Sequence, residues 1–235
     1  MAKGKTTRKP KQSIIEPPLR QEDKTLVRFI PKNDVQRKAW REIHENDFCF
    51  LTGIAGGGKT FIAIAYGVTG LLNGTFEKLV LTRPAIESGE KLGFLPGEMG
   101  AKMLPFLAPV MDAVNKFTNV SESAKDKVRA SVDVVPLAYA RGRTFEKSFC
   151  ILDESQNATP ESIEMYMTRL GEGSKMVLCG DDGQPDIDRC VLNEVAKAFS
   201  DAGQAGWCAF GIKDSVRHPR IGKIIEIMSR FKRKR

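Results

Sequence analysis

The sequence predicts a single α/β domain: a mostly parallel sheet with helices on both faces. Three observations carry this. Apolar runs of strand length recur between segments of helix length along most of the 235 residues. Those runs are apolar at successive positions, as in strands covered on both sides, and not alternating as in half-exposed ones. The helix-length spacers are long enough for parallel crossovers, which a two-residue hairpin cannot make. No internal repeat competes with this reading.

Residues 1–30, with Pro10, Pro17 and Pro18 and poor periodicity, are expected to form a disordered basic tail and an arm. Asn33 is the expected N-cap of a helix in which Val35, Ala39, Trp40 and Ile43 recur at helical spacing up to about Asn46. Phe48–Thr52 reads as a strand, Lys59–Leu72 as a helix and "KLVLTRP" as a buried strand, followed by a long loop through Pro96. Gly97–Phe117 is expected to be helical, bent or broken by Pro105 and Pro109. A polar helix over about Ala124–Ser131 leads into a strand at Val132–Val135. The remaining units are "SFCILDE" (strand), Pro160–Leu170 (helix), "KMVLCGD" (strand), Leu192–Ala202 (helix), "WCAFGI" (strand) and Ile221–Phe231 (helix). The main domain is thus expected over 31–229, with a short basic tail at 230–235.

A net charge of +8 suggests a basic protein, but the charge is concentrated at the ends. Lys3, Lys5, Arg8, Lys9 and Lys11 open the chain, and Arg230, Lys232, Arg233, Lys234 and Arg235 close it. The body between them is close to neutral. Basic tails can contact nucleic-acid phosphates through counterion release, and they also simply solubilise. No apolar run reaches the ~20 residues needed to cross a bilayer, and no apolar segment follows the basic N-terminus as in a signal peptide. A cytoplasmic protein is expected. Five cysteines without a CxxC pair, and only two histidines, argue for buried thiols and against a zinc site.

The chemistry is concentrated in "GIAGGGKT", Gly53 to Thr60, which fits the phosphate-loop pattern GxxxxGK[ST]. Glycines allow backbone N–H groups to turn inward around phosphates. Lys59 can reach the β- and γ-phosphates, the Thr60 hydroxyl can hold Mg²⁺, and the helix that starts there points its positive end at the anion. The apolar run before the loop and the helix after it are the context such a loop requires. The predicted ATP-binding set is Gly53, Ala55, Gly56, Gly57, Gly58, Lys59, Thr60 and Phe61. Hydrolysis further needs acids on a neighbouring strand. "FCILDE" ends in Asp153, expected to hold Mg²⁺ with Thr60, and Glu154, expected to orient and deprotonate water. "VLCGDDGQ" places Gln184 just past another buried strand, where it can reach γ-phosphate or the attacking water.

Together these stretches resemble the PhoH family, ATPases whose core is similar to one RecA-like domain of superfamily 1 helicases. The resemblance rests on "PKNDVQ", "GIAGGGKT", "TRPAIESGEKLGFLPGE", "ARGRTF", "ILDESQN", "GDDGQPD" and "VRHP", in the family's order from about Pro31 to Ile227. The "RPAIESGEKLGFLPG" segment is the most family-specific. The resemblance implies a RecA-like P-loop fold, ATP and Mg²⁺ as cofactors, and a bacterial or bacterial-virus origin. It implies that Gln36 reads adenine, and that Arg83 contacts nucleic acid from the strand beside the phosphate-loop strand. It also makes Arg141, Arg143 and above all Arg217 candidates for sensing γ-phosphate, with His218 structural. The chain departs from the family after "GD": Gly183 stands where relatives carry threonine, and Asp186–Asp188 where they carry "DLP".

Two functions stay open. The first is an ATPase coupled to RNA or single-stranded nucleic acid. A single RecA-like domain lacks the facing arginine of a two-domain helicase, so this reading expects a homo-oligomeric ring, such as a hexamer, whose neighbour supplies it. The second is an ATP-dependent switch acting on a protein partner, which the neutral body favours. A small-molecule kinase shares the loop, but has little use for Glu154 beside Asp153.

Overall fold

The computed structural model describes residues 29–84, 108–115, 121–181, 190–216, 223, 224 and 227. The basic tails, the family-specific segment beyond Pro84, and Gln184, Arg217 and His218 lie outside the described residues. So do most of the helices expected at Gly97–Phe117 and Ile221–Phe231, of which 108–115, 223, 224 and 227 are described and helical.

Helix α1 (Asp34–Glu45) starts at Asn33, whose side chain accepts from the Gln36 N–H, the expected N-cap bond. Strand β1 (Phe48–Gly53) leads through the glycine loop into α2 (Lys59–Leu72), and β2 is Lys78–Thr82. Helix α3 (Glu122–Ser131), capped by Ser121, runs straight into β3 (Val132–Val134). Strand β4 (Ser148–Leu152) is followed by a short 3₁₀ turn, Ser155–Asn157, and α4 (Pro160–Met167), which begins with proline at a position where no N–H is needed. Strand β5 (Lys175–Cys179), α5 (Leu192–Asp201) and β6 (Gly206–Phe210) complete the described sheet and its cover.

The six strands of the described residues form one sheet in the order β3-β2-β4-β5-β1-β6, and every neighbouring pair is parallel. This settles the expectation of a mostly parallel sheet in its strictest form. Side chains alternate between two apolar layers. Cys49, Leu51, Leu79, Leu81, Phe149, Ile151, Val177 and Cys179 pack against α1, α2, α3 and 108–115. Phe50, Val80, Cys150, Leu152, Met176 and Leu178 pack against α4 and α5 on the other face. Helix α2 is buried from Ile62 to Leu72, which explains why it is apolar all round and not in a stripe. Each fully buried Phe, Leu or Ile here contributes about 1.5–3 kcal/mol.

The strand order corrects two expectations. The acid-bearing β4 is not adjacent to the phosphate-loop strand, because β5 lies between them. Strand β2, which precedes Arg83, is separated from β1 by both β4 and β5. Sequence order gives no guide here, because β5, which follows both β1 and β4 in the chain, lies between them in the sheet.

All five cysteines are free and four are buried; burial pushes the Cys150 thiol up to about 12 and Cys208 to about 11. No helix among the described residues is long and apolar enough to cross a membrane.

Candidate nucleotide site

The carboxyl ends of the strands converge on one edge of the sheet, the place where open α/β sheets bind ligands. The loop after β1, the acids after β4, Gly180 and Asp181 after β5, Arg83 after β2 and the segment after β6 all lie along it.

The loop is shaped by positive φ at Gly53 (106°), Gly56 (92°) and Gly58 (91°). At Gly53 no side chain fits at all, since a Cβ would stand 2.1 Å from the Phe210 carbonyl oxygen of neighbouring β6. The loop is then clamped from both sides. Gln36, at the start of α1 and 3% exposed, donates from Nε2 to the Gly57 carbonyl at 3.0 Å and accepts the Lys32 N–H at 2.8 Å. Val216, beyond β6, donates its N–H to the Gly56 carbonyl at 3.1 Å, and Asn33 donates to the Asp214 carbonyl at 3.1 Å. Gln36 is therefore neither exposed nor idle; among the described residues its amide spends one N–H on Gly57 and one lone pair on Lys32. Val216 brings the chain to the loop one residue before Arg217.

Lys59 is buried, and its ammonium donates to the carbonyls of Gly53 (2.5 Å) and Ile54 (2.8 Å). Burial lowers its proton affinity, and the carboxylates of Asp181, Glu154 and Asp153 oppose that shift. The adjacent Thr60 hydroxyl donates to Asp153 Oδ1 at 2.7 Å, joining residues 93 apart in sequence. Asp153 is 4% exposed, and its Oδ2 accepts from Arg83 through Nε (3.0 Å) and Nη2 (2.5 Å). Glu154 follows in left-handed backbone (φ 55°), its Oε2 accepting from Gln156 at 2.7 Å.

Among the described residues no group of three or more His, Cys, Asp or Glu could hold a metal ion. The oxygen pair of Thr60 and Asp153 nevertheless fits Mg²⁺, a hard cation that takes one or two protein oxygens and fills its shell with water and phosphate.

The expected set thus divides. Lys59, Thr60, Asp153 and Glu154 are brought together at the mouth of the loop. Arg83 belongs to that cluster, with its guanidinium on Asp153. Arg143 does not: it pairs with Asp133 of edge strand β3 at 2.6 Å, four strands from β1. Sequence reasoning missed Gln156, although "LDESQN" contains it, because nothing in the pattern says that the second residue after Glu154 bonds back to it.

A parallel sheet whose first strand opens into a glycine phosphate loop, with hydroxyl and carboxylate meeting beyond it, defines a P-loop nucleoside-triphosphatase fold of the RecA-like kind. The family described as PhoH-like protein matches residues 28–229, and the chain belongs to it. PhoH-like proteins of Synechocystis and Bacillus subtilis are 42% and 41% identical to it over 83% and 81% of this chain. Protein PhoH of Escherichia coli is 35% identical over 80%. The chain spans 60%, 61% and 55% of the lengths of these three relatives. The large terminase of bacteriophage HK97 superimposes with a TM-score of 0.48 at 11% identity, over 78% of this chain and 40% of that one.

Proposed function

We propose that the protein binds Mg²⁺-ATP and hydrolyses it, and couples hydrolysis to the binding or remodelling of RNA or single-stranded nucleic acid. The observation that carries the hydrolytic part is the 2.7 Å bond between Thr60 and Asp153, with Glu154 next in sequence. It joins loop and acids at the edge of the sheet, although 93 residues separate them in the chain.

Binding exchanges partners that the loop now satisfies internally. The Lys59 ammonium moves from the Gly53 and Ile54 carbonyls to the phosphates, where its charge is worth more than on neutral oxygens. Thr60 and Asp153 hold the metal, which when bound neutralises charge on the phosphate oxygens. Glu154 orients a water and accepts its proton as the oxygen attacks the γ-phosphorus in line, while the bond from that phosphorus to the β–γ bridging oxygen breaks and ADP leaves with the electron pair. Gln36 meets the adenine edge with its remaining N–H and lone pair. A neighbouring copy in a ring supplies the arginine, which at such sites raises the rate by ~10³-fold or more.

The nucleic-acid part is supported by the resemblance of the motifs to those of helicase-like ATPases and by the basic tails. One observation favours a protein client instead: the body between the tails is nearly neutral, whereas a nucleic-acid track is ordinarily a basic face. The test is the rate of phosphate release in Mg²⁺, with and without single-stranded RNA or DNA at rising salt, with mass measured in ATP. Stimulation that salt abolishes supports the nucleic-acid client; hydrolysis that neither strand affects supports the protein client; no hydrolysis overturns the proposal. Glu154→Gln is expected to keep ATP affinity and slow turnover at least ~10²-fold, and Lys59→Ala to weaken both.

A further inference from the structure

We infer that Gln156 is a positioning residue for this reaction: its amide fixes the Glu154 carboxylate and anchors it to the end of β5. The inference rests on the ATPase reading. Gln156 sits two residues past Glu154 in the 3₁₀ turn after β4, and is 3% exposed. Its Nε2 donates to Glu154 Oε2 at 2.7 Å, and its Oε1 accepts from the Asp181 backbone N–H at 3.0 Å.

Chemistry fixes the orientation of this amide. A carboxylate only accepts and a backbone N–H only donates, so the flipped amide would set oxygen against oxygen and N–H against N–H. The surroundings are built to the same end. Gly180 leaves the room that the amide needs: a Cβ there would stand 2.9 Å from both Gln156 Oε1 and its backbone nitrogen, and 2.3 Å from Leu192 Cδ2. Ser155 donates to the Cys179 carbonyl at 2.8 Å, a second tie from the acid turn to the same strand.

Glu154 needs holding. Its left-handed backbone is one that a residue with a side chain keeps only where the surroundings impose it, and such residues gather at functional sites. A base on a rotatable side chain acts well only if its oxygen stays within hydrogen-bond reach of the water. The Gln156 amide supplies that constraint, and the reference point is Asp181, not β4. Asp181 immediately precedes the "DGQ" segment. Movement of the β5 end relative to β4 is thereby transmitted through one amide to the base.

The test compares two variants of the full chain. Gln156→Met keeps length and removes both bonds; Gln156→Glu keeps an acceptor for Asp181 but sets a second carboxylate against Glu154. Gln156→Met is expected to lower kcat ~10–100-fold while the ATP dissociation constant changes less than ~3-fold, and Gln156→Glu to lower kcat further. In a Glu154→Gln background, Gln156→Met should add less than about 2-fold, since the group it positions has gone. Amide hydrogen exchange reads the tie without turnover: Asp181 should exchange faster in Gln156→Met and little faster in Gln156→Glu. Unchanged kcat in Gln156→Met, an equal slowing in both backgrounds, or unchanged Asp181 exchange would overturn the inference. If the wild-type chain does not hydrolyse ATP, the ATPase reading and the catalytic role fall together, and exchange alone decides whether Gln156 joins the acid turn to β5.

Discussion

The phosphate loop and the acid turn after β4 meet through Thr60 and Asp153, yet they are held in opposite ways. The loop takes its shape from residues that lack side chains, and backbone carbonyls of Gly53, Ile54, Gly56 and Gly57 accept most of its bonds. The acid turn takes its shape from side chains: Arg83 on Asp153, Gln156 on Glu154 and Ser155 on β5. The first region is sensitive above all to added atoms, as at Gly53, and the second to lost hydrogen bonds.

The largest effect is expected from Gly53→Ala. Its Cβ meets the Phe210 carbonyl oxygen at 2.1 Å in a backbone with φ 106°, inside a β1–β6 ladder that cannot move without opening the sheet edge. Strain and clash together should cost about 3–5 kcal/mol, read as a fall in the denaturation midpoint. Gly74→Ala is the control, because Gly74 also has positive φ (77°) but nothing within 4 Å of an added Cβ. It should lose only about 1–2 kcal/mol. Equal losses would show that conformation alone, and not the packing of β6 on the loop, makes Gly53 necessary.

At the acid turn, Arg83→Ala removes the partner of Asp153 Oδ2 and leaves a nearly buried carboxylate held by Thr60. Because Arg83 is itself 31% exposed, the metal-free protein should lose about 1–3 kcal/mol, toward the lower end for a broken buried pair. Arg83 and a bound cation both draw on Asp153. Mg²⁺ with nucleotide should therefore raise the melting temperature of the variant more than that of the wild type. An equal rise in both would show that Arg83 and the cation do not compete for Asp153.

This difference also explains what could be read in advance. The loop is a local pattern: glycines, lysine and threonine lie within eight residues, so its turn between β1 and α2 could be read from order alone. The strands were legible for a related reason, since burial on both faces marks each run independently of its neighbours. Strand order was not legible. Nothing in "KMVLCGD" says that it slips between the strands of "CFLTG" and "FCILD", and so the strand that Arg83 follows does not lie beside the phosphate-loop strand as the sequence leads one to expect. Gln156, Val216 and Phe210 act across the sheet on residues from 2 to 160 positions away, and only the fold brings those distances to a hydrogen bond.

The smallest effect expected is that of Ser155→Ala. Ser155 is fully buried, and its hydroxyl donates to the Cys179 carbonyl at the last residue of β5. Removing it leaves that carbonyl short of one bond, but carbonyls have two lone pairs and the Cα trace need not move. The cost should be about 1 kcal/mol, seen as a lower denaturant midpoint with an unchanged slope. Loss of Ser155 leaves the Gln156 amide as the remaining side-chain tie from the turn to β5 among the bonds described above. Turnover should then fall less than about 3-fold while stability falls measurably. A larger loss of turnover than of stability would place the control of Glu154 in Ser155 as well, and make the whole acid turn, not one amide, the unit that β5 positions.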